Sequence, residues 1–211
     1  GGGPAGLMAA ELLSTLGHAV HLFDAMPSVG RKFLLAGKGG LNLTHAEPSD
    51  QFVSRYGLHR PRLETLLAKW GAPELRAWAH SLDIETFVGT SGRVFPKEMK
   101  AAPLLRAWLQ RLRHPKNGPA VQFHMRHKLT QMQSVITGSR HDTFLDFHVQ
   151  NLSQEGTHTC RGVAKSVILA LGGGSWRRLG SDGAWVDWLK QAGVKIEALK
   201  SSNCGFDVAW S

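Results

Sequence analysis

The sequence predicts an α/β fold, in which a doubly wound parallel sheet carries a helical insertion and a small antiparallel β-meander. Three observations lead to this prediction. A glycine-rich turn runs straight into a helix-forming segment at 4–16, and a short apolar run follows at 19–23. A nearly continuous apolar run at 166–171, ended by three glycines, is typical of a buried parallel strand. The segments between change from helical to alternating patterns, as expected of insertions into one domain.

The glycine turn and the acid that follows it have the order of a dinucleotide-binding fingerprint. Gly1, Gly3 and Gly6 form a G-x-G-x-x-G, and Asp24 closes the apolar run that follows the helix. In such a fingerprint the glycines allow a tight turn, close approach of a pyrophosphate and close helix packing, and the acid binds ribose hydroxyls. A structural turn or a solvated tail is the alternative for the glycines. The first strand of the fold is expected to precede Gly1.

The remaining elements follow in order along the chain. Residues 27–50 are predicted to form a long polar connection, of the kind that is usually functional. Periodicity then predicts helices at 61–70, 73–82, 103–113 and 182–192, strands at 84–88, 93–95 and 194–199, and an antiparallel meander within 121–171. Two of these helices share the pattern Ala-Pro-x-Leu-Arg-Ala-Trp. The pattern predicts proline at a first helical position and leucine and tryptophan on one face.

The composition is that of a folded domain with an excess of positive charge. Hydrophobic residues make up 42% of the chain, and no stretch is apolar over the length of a membrane span. The net charge is +9, and cations are dense from Arg93 to Lys128, which we call the basic stretch. It either binds RNA or an acidic membrane surface, or forms polar faces beside an anionic cofactor. No recognised RNA-binding signature accompanies it.

The cysteines and histidines do not indicate dithiol or metal chemistry. Neither Cys160 nor Cys204 lies in a C-x-x-C motif, so we expect two unpaired thiols and a reducing cytoplasm. His124 and His127 lie three residues apart, but no second pair has metal-ligand spacing. A zinc site is therefore not expected.

Three further segments favour a flavin cofactor. The segment Gly30-Arg31-Lys32 places a flexible backbone and two cations near the same crevice, where they would neutralise a pyrophosphate. Residues 37–44, GKGGLNLT, form a glycine-rich loop that ends in an amide and a hydroxyl. Such a loop lets a flat ring approach the backbone and supplies directional hydrogen bonds to its edge. The glycines at 172–174 would return the chain to the carboxyl ends of the strands.

Taken together, these segments resemble the BaiN/YhiN-like NAD(P)/FAD-dependent oxidoreductases, conserved bacterial flavoproteins of the glutathione-reductase-like FAD superfamily. The similar stretches are 1–11, 23–45, 93–101 and 170–183, and 203–210 resembles the opening of the family's inserted domain. The resemblance implies a Rossmann-like FAD-binding domain at 1–200 and the start of a second, inserted domain at 201–211. It also implies a fragment truncated at both ends, because family members are longer.

The same resemblance implies a set of FAD-binding residues. Those expected at the pyrophosphate and the adenosine ribose are Gly1, Gly3, Gly6 and Asp24, with Arg31 and Lys32 beside the phosphates. Those expected near the flavin are Gly39, Gly40, Asn42 and Thr44, and a second FAD-contacting turn is expected at Gly172 and Gly173. Relatives often have threonine where Leu171 stands, so a hydroxyl contact is absent there.

The predicted function is that of an FAD-dependent oxidoreductase that takes hydride from NAD(P)H and reduces an organic acceptor, a small-molecule substrate. No second G-x-G-x-x-G is present, so NAD(P)H is expected to bind in front of the flavin. The sequence names no catalytic acid or base. The alternative is an RNA-binding or RNA-modifying flavoprotein that uses the basic stretch. Neither a metal nor a membrane is an expected partner, and the expected location is the cytoplasm.

Overall fold

A computed structural model of the chain describes residues 1–137, 139–151 and 156–200. It contains helices and strands, with two short 3₁₀ turns at Gly57–His59 and Arg177–Leu179. The helices are α1 (Pro4–Thr15), α2 (Arg31–Ala36), α3 (Ser49–Ser54), α4 (Arg60–Leu67), α5 (Ala72–His80), α6 (Ala101–Arg113) and α7 (Trp185–Gln191). The strands are β1 (His21–Asp24), β2 (Thr44–His45), β3 (Thr86–Val88), β4 (Arg93–Pro96), β5 (Gln122–Met125), β6 (His127–Thr137), β7 (Arg140–Asn151) and β8 (Gly156–Ala164).

The strands form one parallel pair and two antiparallel sheets. Strands β1 and β5 pair in parallel, with His21 opposite Gln122 and Asp24 opposite Met125. Because both strands run the same way, their carboxyl ends, at Asp24 and Met125, lie at one edge. The antiparallel sheets have the orders β2-β4-β3 and β6-β7-β8, and the second of these is the predicted meander. The mixture confirms the predicted α/β class.

The parallel strands are covered on both faces, which gives the domain its layers. On one face Leu22 packs with α1 and α6 in the main core, where Leu7 and Leu104 are fully buried. On the other face Phe23 packs on the meander around Phe147. Alternate residues of a strand point to opposite faces, so the apolar run at 19–23 supplies both cores.

The predicted helices at 4–16, 61–70, 73–82 and 103–113 are confirmed as α1, α4, α5 and α6. The two helices with the shared pattern meet through their tryptophans, because the Trp78 and Trp108 rings lie edge to face with centroids 4.7 Å apart. One detail was wrong. Helix α6 begins two residues earlier than predicted, so Pro103 is its third residue. The strand pair at 84–88 and 93–95 is confirmed as β3 and β4.

Three predictions of secondary structure and one helix boundary were wrong. The connection at 27–50 is not irregular throughout, since it contains α2 and β2. Residues 166–171 and 194–199 form no strand, and Ile168 is 58% exposed. A strand needs hydrogen-bonded pairing of its N–H and C=O groups with a neighbour, and neither segment pairs with a strand in the described part of the chain. Helix α7 begins at Trp185 rather than 182, after Gly183 with φ +69°. The predicted domain start at 201–211 lies outside the described residues.

Candidate dinucleotide-binding site

The first glycine motif forms a tight turn in which its three glycines have different surroundings. A Cβ added to Gly1 would lie 2.2 Å from the Ala170 oxygen, and one added to Gly6 would lie 1.9 Å from the Gly1 oxygen. Protein backbone therefore excludes a side chain at both positions. A Cβ at Gly3 would meet nothing within 4 Å. Gly3 is the N-cap of α1, so the open space lies at the positive end of a helix dipole.

Asp24 is held against this turn by both of its carboxylate oxygens. Its Oδ2 accepts a hydrogen bond from the Gly2 N–H at 2.6 Å, and its Oδ1 accepts one from the Met26 N–H at 2.7 Å. The Gly2 oxygen in turn accepts the Gly30 N–H at 2.9 Å. The glycine turn is thereby brought together with the end of β1 and the start of α2, which lie more than 20 residues further along the chain, as predicted from the motifs.

The cations at the start of α2 lie beside the turn. Gly30 begins the helix with φ +67°, and an added Cβ there would lie 2.6 Å from a Leu105 methyl group. The Arg31 Nη1 lies 3.5 Å from the Ser28 hydroxyl, whereas its Nε is buried with no hydrogen-bond partner among the described residues. The Lys32 Nζ donates to the Ser175 hydroxyl at 2.5 Å. Lys32 thus connects α2 to the segment after the second glycine run.

The segment that leads into the second glycine run is packed against the first turn through Ala170. Gly172 has φ +76°, and its oxygen accepts the Trp185 indole N–H at 3.0 Å. The Gly173 oxygen accepts the Ser181 hydroxyl at 2.8 Å, whereas a Cβ added at Gly173 would meet nothing within 4 Å. Gly172 and Gly173 were predicted as a second FAD-contacting turn, and this stays a prediction. Ala170, two residues before Gly172, lies against Gly1 even though 166–171 is not a strand.

The 37–44 loop lies at the other end of α2, a six-residue helix that spans about 9 Å. The Leu41 N–H donates to the Met99 oxygen at 2.9 Å, and Thr44 pairs with Val94 in β2. Gly40 has φ +123°, which favours glycine. Gly39, which precedes the anchor at Leu41, and Asn42, which follows it, are exposed. A Cβ at Gly39 would meet nothing within 4 Å. The loop is therefore fixed at its sides and open along its tip.

Part of the basic stretch is engaged within the fold. The Lys97 ammonium lies 2.8 Å from the Glu85 carboxylate, and this exposed ion pair lowers the pKa of Glu85 and raises that of Lys97. Arg111 pairs with Glu11 at 2.8 Å, and the Arg113 guanidinium lies 5.3 Å from the centre of the Phe123 ring. These cations do not form a free surface stripe.

Sequence reasoning missed a cluster of aromatic rings between β1, β5 and the meander. The Phe23 ring stacks on His124 at 4.4 Å and on Phe147 at 4.3 Å, and His127 meets them at a steep angle. The His21 Nδ1 lies 2.9 Å from the His124 Nε2. Burial lowers the pKa of His124, and the neighbouring histidines lower it further. The alternation of His21 and Phe23 along β1 was the signal in the sequence for this cluster.

Metal and membrane features are absent from the described part of the chain. Among residues 1–137, 139–151 and 156–200, no group of three or more histidine, cysteine, aspartate or glutamate side chains is arranged to hold a metal ion. None of the helices in the same residues combines the length and the apolar character needed to cross a membrane.

The glycine turn at a helix N-terminus, beside an acid at the end of a parallel strand, defines a Rossmann-type dinucleotide-binding domain. The model of the HI0933-like protein Rossmann domain matches residues 1–206, so the chain belongs to that family. This is the FAD-binding, BaiN/YhiN-like family that the sequence resembles, and the resemblance is thereby confirmed. A comparison with curated proteins finds no match.

Proposed function

We propose that this protein is an FAD-dependent oxidoreductase that accepts hydride from NAD(P)H and reduces a small organic acceptor in the cytoplasm. Membership of an FAD-binding Rossmann family supports the cofactor. The observation that carries the proposal is the open space at Gly3, at the N-terminus of α1. Arg31 follows Gly30, whose N–H donates to the Gly2 oxygen of this turn, and the Arg31 Nε is buried with no hydrogen-bond partner among the described residues. A buried donor without an acceptor is unfavourable, and an anion at this place would satisfy it.

The residues present fit the pyrophosphate of a dinucleotide. The N–H groups of Ala5 and Gly6 precede the first intrahelical hydrogen bond of α1, which the Leu7 N–H makes to the Gly3 oxygen. They would hold phosphate oxygens together with the Arg31 guanidinium, and Lys32 would add a second positive charge. The missing Cβ at Gly3 would let the phosphates approach the backbone closely.

The residues on either side would orient the two ends of the cofactor. Asp24 is half-buried, and each of its oxygens has one hydrogen bond from the backbone, which leaves lone pairs for ribose hydroxyls. Gly39, Gly40, Asn42 and Thr44 would lie along the flavin ring, with Gly172 and Gly173 at the second turn. FAD, when bound, supplies the hydride chemistry, and the chain supplies binding, orientation and exclusion of water. We assign no catalytic acid or base.

The test is the absorbance of the full-length protein between about 300 and 550 nm, repeated anaerobically with NADH and with NADPH. Flavin bands that bleach on addition of either nucleotide are expected. Bands that persist with both would remove NAD(P)H from the proposal and keep FAD. If no bands form even after incubation with FAD, the proposed function is wrong.

The variant Gly3→Ala separates cofactor binding from folding. Gly3 has φ −78°, which alanine adopts freely, and its Cβ would meet no protein atom. We therefore expect an unchanged or slightly higher melting temperature, and FAD affinity lower by at least about tenfold because the methyl group occupies the phosphate space. Gly162→Ala is the matched control, since its Cβ would make only an ordinary 3.7 Å contact with Phe147. Equal FAD affinity of Gly3→Ala and wild type would place the phosphates elsewhere.

The RNA-binding alternative has weaker support. The net charge of +9 favours it, but Lys97, Arg111 and Arg113 are engaged with other residues of the fold. Binding of a single-stranded RNA that weakens steeply with salt would revive this alternative.

A further inference from the structure

Arg126 has an unusual backbone conformation beside the proposed site. It is the single residue between β5 and β6, and its φ is +61°, a left-handed value that residues other than glycine rarely adopt. Its N–H donates to the Met26 oxygen at 3.1 Å, and its oxygen accepts the Gln150 N–H at 3.1 Å. The backbone of Arg126 is thus fixed between the segment after Asp24 and the meander.

The position of Arg126 is set by the parallel pair. Met125, the last residue of β5, lies opposite Asp24, the last residue of β1. Arg126 therefore follows the carboxyl end of one parallel strand, directly beside the acid that ends the other. In open α/β sheets, ligands bind outside the carboxyl ends of the strands. The other two described residues with positive φ that are not glycine, Asp83 and Met99, lie at a helix end and in a turn, where each donates its N–H within the turn.

The Arg126 side chain has no hydrogen bond or ion pair among the described residues, although it is half-buried. Arg111 pairs with Glu11, and Arg161 pairs with Asp146 through two hydrogen bonds at 2.6 and 2.9 Å. The bend from β5 to β6 explains a left-handed residue at this place, but glycine or asparagine would adopt that conformation more easily. The bend therefore does not explain an arginine.

We propose that Arg126 is a cofactor-binding residue whose guanidinium contacts the adenosine half of the dinucleotide, next to the ribose held by Asp24. The inference rests on the proposed function and extends it to a residue outside the glycine motifs. A guanidinium is planar, remains charged, stacks on aromatic faces and donates several hydrogen bonds, so it suits a purine ring or its sugar. Its backbone is held from two sides, which fixes the place from which the side chain extends.

The test compares Arg126→Gly with wild type in the full-length protein freed of its flavin. The probes are ADP and FMN, whose binding is measured by calorimetry and by flavin fluorescence, and thermal unfolding is recorded for each variant. Glycine suits the left-handed backbone, so the melting temperature should not fall. We expect ADP affinity to fall about tenfold and FMN affinity to stay within twofold. Lys128→Ala, an exposed cation nearby on β6, is the control and should change neither.

The outcomes separate this inference from the proposed function. If wild type binds FAD and ADP and Arg126→Gly binds ADP equally well, the inference is wrong and the proposed function stands. If wild type binds neither FAD nor ADP, both are wrong. A 2′-phosphorylated ADP that binds wild type more tightly than ADP, and loses that advantage in Arg126→Gly, would assign the guanidinium to a nicotinamide phosphate and overturn the inference. Should Arg126→Gly fold poorly, Arg126→Asn tests the same loss, since asparagine also accepts positive φ.

Discussion

Glu11 joins three helices through one carboxylate. It lies on α1, and its side chain is 15% exposed. Its Oε2 accepts the indole N–H groups of Trp78 on α5, at 3.1 Å, and Trp108 on α6, at 2.7 Å. Its Oε1 accepts the Arg111 Nη1 at 2.8 Å. Replacing Glu11 with alanine removes all three interactions at once. The resulting loss in the free energy of unfolding depends on how deeply each donor is buried.

The most costly consequence of Glu11→Ala is the orphaned indole of Trp108, which is 2% exposed. An unsatisfied buried donor costs about 1–3 kcal/mol. Breaking a fully buried ion pair costs about 3–5 kcal/mol, but Arg111 is 27% exposed and regains water, so its share is smaller. We expect a total loss of about 3–4 kcal/mol in the free energy of unfolding. In a domain of this size that lowers the melting temperature by roughly 6–16 °C.

The assay is urea unfolding of the full-length protein, followed by tryptophan fluorescence and circular dichroism. Glu11→Gln keeps the shape and one acceptor, so it should lose about half as much as alanine. Glu98→Ala is the control, since this exposed side chain has no partner among the described residues and should change stability by less than about 0.5 kcal/mol. A loss below about 1 kcal/mol in Glu11→Ala would refute the argument that burial makes this network stabilising.

Two further predictions concern the backbone and pH. Gly30→Ala adds a methyl group 2.6 Å from a leucine side chain at φ +67°, so we expect about 1–3 kcal/mol of destabilisation in urea, whereas Gly39→Ala, in open space, should change stability little. Stability should fall as pH drops below about 6.5, the pKa of an unfolded histidine, towards the lower folded pKa of His124, because the unfolded state then binds more protons. Urea midpoints measured at about pH 7.5, 6.5 and 5.5 test this prediction. The variant His124→Gln should show a weaker dependence of the midpoint on pH. An equal dependence in that variant and in wild type would exclude His124 as its cause.

Features with a local cause were predictable from the sequence. The helix after the glycines follows from its residues, and the positions of Asp24 and Gly30 beside the turn follow from the order of motifs in a dinucleotide fold. The Glu11 network was not predictable. Its partners are separated from Glu11 by 67, 97 and 100 residues, and no spacing rule connects them. Only the packing of α5 and α6 on α1 brings the two tryptophans to one carboxylate.

The segment 166–171 shows the limit of hydrophobic pattern. Its apolar residues are those of a buried strand, yet a strand is defined by hydrogen bonds to a neighbour, which composition does not supply. One end of the segment nevertheless lies beside the glycine turn, because Ala170 lies against Gly1 and Gly6. Its predicted position beside the cofactor stays a prediction. The close contact has a simple cause: two glycines without side chains allow one backbone to approach another. The contact of Ala170 with the glycine turn therefore does not depend on 166–171 forming a strand.

The surroundings of the three glycines in the first motif give the strongest argument for the proposed ligand binding. Gly1 and Gly6 are explained by the protein itself, since backbone atoms fill the space that their side chains would need. Gly3 has no such explanation, because its φ is ordinary and its Cβ would be free. A glycine that the fold does not require, at a helix N-terminus, is the feature on which the proposed phosphate site rests. In that proposal an anionic group approaches the backbone at the open position, and the Arg31 guanidinium, whose Nε has no partner among the described residues, adds a positive charge.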